Sequence, residues 1–175
     1  MTGSAVYPAR VASPAPRVGP AGPADHARIA ELTVAAYAAE ELAPAEYLPQ
    51  LADVAGRADR AELLVARDRD GRVVGSVALV LTGDFGEVVE SADEAAFRML
   101  AVDAGARGQG IGAALVCACL DRARAAGKRR MVLSTGERMT AAHRLYARFG
   151  FTRLPERDWS PVPGVDLRVY VLDLG

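Results

Sequence analysis

The fold class predicted by the sequence is a single α/β (α+β) domain: a mixed central sheet of six to seven strands with helices on both faces. Three observations carry this. Short apolar runs of strand character alternate with alanine-rich segments of helical period. Two of those runs, "ELLVAR" and "RVVGSVALVL", flank Asp68-Arg69-Asp70-Gly71, a tight-turn signal that marks an antiparallel hairpin. The stretch "DAGARGQGIGAAL", Asp103 to Leu115, then joins a strand to a helix through four glycines.

The elements follow in order. Residues 1–15, "MTGSAVYPARVASPA", are rich in Pro and Ala without period and read as a flexible tail ahead of one domain over 16–175. A first short strand is expected around Arg17 and Val18. Pro23 and Asp25 suit the first turn and cap of a helix whose apolar stripe includes Ile29, Leu32 and Ala36. A second helical piece, broken by Pro44 and Pro49, runs to about Gly56. In the hairpin, the Asp-Gly pair is expected to supply positive backbone angles. Val73 to Leu81 is small or apolar on both faces, which places that strand centrally. Phe97 to Val102 forms the strand before the glycines, and the following helix ends at Gly127. "RRMVLS" is a strand, "MTAAHRLYARF" a helix stopped by Gly150, and a short strand is expected at Phe151. "VDLRVYVLDL" closes the sheet with Val165, Leu167, Val169 and Val171 on one face.

Bulk properties exclude several function classes. With 21 Lys and Arg against 22 Asp and Glu, the net charge is −1, so no basic excess points to nucleic acid. Lys128 is the only lysine. No run of about 18 apolar residues suggests a membrane span, and the N-terminus lacks a signal-peptide layout. Cys117 and Cys119 stand two apart on a helix, facing different ways, so they share neither a bridge nor a metal. A reduced, cytoplasmic protein is expected. Two histidines, His26 and His143, are too few for a His-built metal centre, and no metal is expected.

Glycines ahead of a helix let backbone N–H groups approach a phosphate. Gly108 to Ala113 spells G-x-G-x-x-A, the dinucleotide fingerprint, but five residues separate Val102 from Gly108 and the next strand ends without a carboxylate. Both facts argue against a nicotinamide cofactor. Arg107-Gly108-Gln109-Gly110-Ile111-Gly112 instead matches R-x-x-G-x-G, and here the chain resembles the GNAT superfamily of N-acetyltransferases. "FRMLAVD" before the loop, "RRMVLST" after it and "AAHRLYARFGF" beyond extend the resemblance over about residues 16–173.

The resemblance implies a sheet whose middle strands splay, and acetyl-CoA as co-substrate. Its pyrophosphate would lie on Arg107, Gly108, Gln109, Gly110, Ile111, Gly112 and Ala113, with Gly110 and Gly112 lacking the Cβ atoms that would hold it off. The gap would lie between Phe97–Val102 and Arg129–Ser134, with backbone at Leu100, Ala101 and Val102 beside the pantetheine. N–H groups there would stabilise an oxyanion as a primary amine attacks the thioester in a ternary complex. Tyr146 aligns with the family tyrosine near the departing sulfur, as proton donor or hydrogen-bond partner, with core packing as its alternative. His143 reads as a surface residue. The family's basic glutamate falls at Ala96, so Glu94, on the same strand face, is the candidate base; the alternatives are that Glu94 is a solvated loop acid or that the base is simply water. The asparagine that often precedes "A-x-x-L-Y" is Met139, leaving Ser134 or Thr135 to contact the pantetheine.

Substrate signals are sparse. Asp84, Glu87, Glu90, Asp93 and Glu94 cluster, and Glu40, Glu41 and Glu46 border the acceptor side in this family. That field would attract a cationic amine, or simply be solvated. Arg122, Arg124, Lys128, Arg129 and Arg130 surround a helix end, where one of them would touch the 3′-phosphate of CoA. Trp159, the only tryptophan, sits in "RLPERDWSPVPG", read as a loop, and walls an acceptor pocket, fills a dimer interface or caps the core. The function expected is an N-acetyltransferase acting on a small-molecule or peptide amine, in a family whose members often form homodimers. The alternative is a non-catalytic acyl-CoA sensor or interaction module on the same fold.

Overall fold

The computed structural model describes residues 16–39, 44–83 and 88–175. The tail at 1–15 and Glu40, Glu41, Asp84 and Glu87 lie outside the described residues. The chain opens with strand β1 (Arg17–Pro20). A single 3₁₀ turn at Pro23–Asp25 then leads into α1 (His26–Ala38). Asp25 does not cap α1 through its side chain as expected. Its carboxylate turns back to accept the Gly22 N–H at 2.8 Å and pairs with Arg67 at 2.8 Å. Pro49 does not break a helix either. It occupies the first turn of α2 (Leu48–Ala52), where its missing N–H has no helical partner to lose. A short α3 (Val54–Ala58) follows.

The hairpin forms as β2 (Glu62–Arg67) and β3 (Val73–Val80). Only Gly71 of its turn takes a positive φ, +80°. The Asp68 carboxylate holds the remaining residues by accepting from the Asp70 and Arg72 N–H groups at 3.0 and 2.9 Å. β4 (Glu94–Val102) starts three residues earlier than Phe97. Then come α4 (Ile111–Ala125), β5 (Arg130–Gly136), α5 (Thr140–Arg148) and β6 (Thr152–Arg153). The segment read as a loop around Trp159 contains a strand, β7 (Trp159–Val162), paired with β8 (Val165–Asp173). That pairing was invisible in sequence because Pro161 and Pro163 disguise an edge strand.

The sheet therefore has eight strands, one more than the upper expectation, in the order β1-β2-β3-β4-β5-β8-β6 with β7 beside β8. Every pairing is antiparallel except β4 with β5. β3 lies centrally and is buried along its length. One face packs Leu64, Val77, Leu79 and Phe97 against Leu115, Val116 and Cys119 of α4 and Leu145 and Tyr146 of α5. The other packs Leu63, Val65, Val73 and Ala78 against Ile29 of α1 and Val54 of α3. Helices thus cover both faces. No helix among the described residues is long and apolar enough to cross a membrane.

α4 rests directly on the backbone of β3 at Gly75. A Cβ added there would lie 2.6 Å from Ile111 Cγ2 and 3.1 Å from Leu115 Cδ1. Ile111 is buried and stiff at its branched carbon, so the helix itself would have to move. Gly75→Ala should therefore lower stability by about 1–3 kcal/mol in urea unfolding. Gly22→Ala, with open space around the added carbon, should stay within about 0.5 kcal/mol of the parent.

Candidate functional site

The site begins where β4 and β5 stop pairing. Their parallel ladder holds only Glu94 with Arg130, Ala95 with Met131 and Ala96 with Val132. β5 stays zipped to β8 as far as Gly136 with Leu167, so it is β4 that leaves. The cause lies within β4. Ser76 opposes Ala101 and Ala78 opposes Arg98, which leaves one extra residue on β4 and makes a bulge. Met99 in that bulge has φ +53°, the one positive φ outside glycine among the described residues.

Beyond the bulge β4 presents backbone to the gap. The Asp103 N–H donates to Val74 O at 2.9 Å across the β3 ladder. By the alternation of an antiparallel pair, the N–H of Val102 faces away from β3, into the space that β5 vacates, while that of Ala101 faces β3.

On one side of the gap lies the glycine loop. Asp103 starts it, fixed by the Gly105 N–H at 2.9 Å and by an ion pair from Arg28 of α1. The Gly105 bond above all, and then Arg28, holds the Asp103 carboxyl below the usual carboxylate range even though burial opposes it. Gly108 and Gly110 take φ of +76° and +80°, and Gly110 is the N-cap of α4 without any capping side chain. The first intrahelical bond is Ala114 N–H to Gly110 O at 3.0 Å. The N–H groups of Ile111, Gly112 and Ala113 therefore have no helical acceptor and stand at the positive end of the helix dipole. A Cβ added at Gly108 or Gly110 would meet nothing within 4 Å. The Gln109 side chain folds back onto Gly105 O at 3.3 Å, and Arg107 is exposed beside it.

Gly112 differs from the expectation. Its added Cβ would lie 3.3 Å from Leu145 and 3.9 Å from both Leu100 and Val102. Its smallness serves the packing of α4 against β4 and α5, not the approach of a phosphate.

On the other side of the gap opens a cleft of about 580 Å³. Tyr37 and Tyr47 wall it from the α1–α2 side, Arg98 and Met99 from the bulge, Thr135 from β5 and Trp159 from β7. Burial, then Tyr47, pushes the Tyr37 phenol up to about 12. Ser134 and Met139 also line the cleft.

β4 and β5 thus part between the N-terminus of α4, which no side chain caps, and an aromatic cleft. The model of the acetyltransferase (GNAT) family matches residues 27–151. The chain belongs to the GNAT acetyltransferase family.

Solved structures repeat this GNAT fold over nearly the whole chain. A GCN5-related N-acetyltransferase from Kribbella flavida is 28% identical with a TM-score of 0.69, covering 90% of this chain and 97% of its own. A GNAT-family acetyltransferase from Staphylococcus aureus Mu50 reaches TM-score 0.72 at 17% identity, covering 92% and 100%. The yncA protein of Salmonella typhimurium, solved with its cofactor acetyl-CoA, gives TM-score 0.64 at 22% identity, covering 92% and 95%. No curated protein matches the chain by sequence.

Within this GNAT domain the candidate residues fall out as follows. Tyr146 is 5% exposed. Its ring meets Phe97, the first residue past the last β4–β5 pair, with centroids 5.7 Å apart, and Phe151 at 5.8 Å. Burial pushes its phenol well above the usual tyrosine range, which keeps the proton on. Tyr146 is thus both a core residue and a neighbour of the gap. His143 is half-buried; its Nε2–H donates to Gly136 O at 3.1 Å and its ring leans on Tyr170. Burial first, and the nearby Arg168 and Arg153 charges, lower its pKa.

Glu94 is placed wrongly for a base. It is 4% exposed, and Arg157, 11% exposed in its side chain, grips it at 2.8 and 3.0 Å while the Glu90 N–H donates at 3.0 Å. Burial alone would raise its pKa, but Arg157 and the Glu90 N–H outweigh that and hold it below the ordinary value. Such a carboxylate keeps its charge, and Glu94 is not among the residues that line the cleft. Glu90 is likewise taken by Arg157 at 3.1 Å.

The basic group at the far end of α4 is a second correction. At 1.5 Å per residue, a helix of this length puts it about 22 Å from the glycine loop. Its members are engaged locally: Arg122 with Glu62 at 2.7 Å, Lys128 with Ala92 O at 2.7 Å, Arg130 with Asp173 at 3.2 Å. Cys117 is exposed and Cys119 buried, and burial raises the Cys119 thiol to about 12.

Sequence reasoning missed the bulge at Met99, Arg98 beside it, and Arg157. One signal was present: Arg98 interrupts an otherwise apolar run, "AAFRMLAV".

The Glu94–Arg157 pair sets an acid limit. A carboxyl with a depressed folded pKa stabilises the fold fully above its unfolded value of 4.5 and loses that contribution as pH falls below it. Urea midpoints followed from neutral pH downward should therefore fall more steeply below 4.5 for the parent than for Glu94→Gln. At neutral pH, Arg157→Met should cost about 3–5 kcal/mol by stranding the buried carboxylate.

Proposed function

We propose that the protein is an N-acetyltransferase that moves acetyl from acetyl-CoA to a primary amine by direct attack within a ternary complex. The parting of β4 from β5 supports this reading, because it leaves β4 backbone unpaired between the glycine loop and the aromatic cleft, where one extended ligand could reach both. The cradle fits a pyrophosphate: open space lies beside Gly108 and Gly110, and three N–H groups at the start of α4 have no helical acceptor. Gly108 to Ala113, with the charge of Arg107 alongside, would hold that group. Leu100, Ala101, Val102 and Ser134 would border the pantetheine arm, which can pair with the free backbone of β4 as an added strand.

When bound, acetyl-CoA supplies an acetyl group activated as a thioester. The N–H of Val102 would donate to the acyl carbonyl and hold charge that develops there. Tyr146 keeps a proton on its phenol beside the gap and would offer it to the leaving sulfur. No base is assigned to Glu94, whose oxygens are held by Arg157. The acceptor would enter as the free amine, its proton already lost to water. Among the described residues no group of three or more His, Cys, Asp and Glu side chains could hold a metal.

Release of free thiol from acetyl-CoA, dependent on an added primary amine, is the expected outcome of an acceptor screen. Tight acetyl-CoA binding with no release from any amine would make the chain an acyl-CoA sensor instead. Gly110→Glu should abolish the rise in melting temperature that CoA gives the parent, because the new side chain enters the phosphate space. Tyr146→Phe should lower kcat by about 10²-fold and leave the acetyl-CoA dissociation constant within about threefold, as expected for a proton donor acting in the transition state.

A further inference from the structure

A neutral primary amine that attacks a thioester is left with one proton too many on its nitrogen. Tyr146 gives a proton rather than taking one, and the oxygens of Glu94 are held by Arg157. The surplus proton needs a group on the acceptor side of the gap.

Tyr37, in the last turn of α1, lines the cleft there. It shares the wall with Met99 of the bulge and Ser134 of β5, where the two strands stand apart. Among the described residues none hydrogen-bonds its hydroxyl. The oxygen is open to the cleft, whereas Trp159 Nε1 and Thr135 Oγ1, also unpartnered, are sealed off.

α1 packs on one face of the sheet and Tyr146 on the other. Burial above all raises the Tyr146 phenol, and Tyr37 adds to that, so the two rings lie within electrostatic reach of each other through the gap. Burial, then Tyr47, pushes Tyr37 itself up to about 12, against the charges of Arg98 and Arg57. At neutral pH Tyr37 is thus a hydroxyl, which accepts one hydrogen bond while donating another.

We propose that Tyr37 is a further catalytic residue, whose hydroxyl relays the surplus proton of the attacking nitrogen to water at the mouth of the cleft. This rests on the reading of the cleft as the acceptor site. As the C–N bond forms, an N–H of the amine donates to Tyr37 Oη. That proton moves onto the oxygen while the phenol's own proton leaves to water, so Tyr37 ends unchanged. The N–H pair stays on nitrogen as the amide lone pair. The C–S pair departs with the sulfur, which takes its proton from Tyr146, and water returns a proton to Tyr146. One proton is released and one taken up, so the transfer balances.

Tyr37→Phe keeps the ring and removes only the hydroxyl. Thiol release from acetyl-CoA gives kcat with phenethylamine and with its β,β-difluoro derivative, or with the same pair built on the best amine of the screen. Fluorine withdraws electrons from the nitrogen, so the difluoro amine sheds its surplus proton to water without help. Tyr37→Phe should lose at least about tenfold in kcat with the parent amine and clearly less with the fluorinated one. Protection by CoA against thermal unfolding should match that of the unsubstituted protein, which certifies the fold and the cofactor site.

An equal loss with both amines would make Tyr37 a packing residue and overturn the relay. So would an unchanged kcat with a raised acceptor KM, which marks binding alone. Glu46, exposed on the rim of the same cleft, is the competing proton acceptor. If Glu46→Gln shows the amine-dependent loss and Tyr37→Phe does not, the proton goes to that carboxylate and the relay is overturned. A parent protein that binds CoA but releases thiol with no amine overturns the transferase reading instead, so the two failures are distinct.

Discussion

The structure turns on a single irregularity in one strand. β4 pairs with β5 for three residues and then, at Arg98–Met99, takes in an extra residue and turns away. Holding Met99 at positive φ costs about 1–2 kcal/mol for an L-residue. The burial of Met99 and Phe97 and the intact β3–β4 ladder on either side hold it there. Without the bulge, β4 and β5 would zip to their ends. The backbone N–H of Val102 would then be spent on the sheet.

Everything around the gap serves to keep its two sides in register. The glycine-loop side is anchored at three points. Ile111 is pressed onto Gly75, Gly112 is packed beneath Leu145, and Asp103 is held by Arg28 from the opposite face of the sheet. That ion pair ties α1, which walls the cleft through Tyr37, to the strand end that begins the glycine loop. The cleft side is anchored by β7 and β8. Trp159 packs beside the cluster of Val80, Ala96, Val132 and Val169 while its indole faces the cleft. It is therefore both a cap on the core and a wall of the pocket, two readings that had looked exclusive.

Electrostatics follow the same division. The fold uses Arg157 to neutralise Glu90 and Glu94 at the closed end of the β4–β5 pair, where strands must stay together. Arg98, in the bulge at the open end, lines the cleft, and Arg57 is buried against the carbonyls of Leu51 and Gln50. Glu90 and Glu94, two of the carboxylates that appear in sequence as an acidic field, are in space counter-ions for one guanidinium.

The linear sequence by itself determined the alternation of strands and helices, the central position of β3, the hairpin, the glycine loop feeding α4, and the family. Those features are written in local periods, turn residues and a short motif with its flanks. It also located the gap, through its resemblance to known acetyltransferases. Only the tertiary structure decided the bulge, the partner of Glu94, the strand hidden among prolines at Trp159, the reach of the basic cluster, and the placing of Arg98 in the cleft. Each of those depends on which distant segment lies opposite a residue: Arg157 across 63 positions from Glu94, or Ser76 opposite Ala101. Register and ion pairing between remote segments leave no period in a sequence, so they become readable only once the chain has closed on itself.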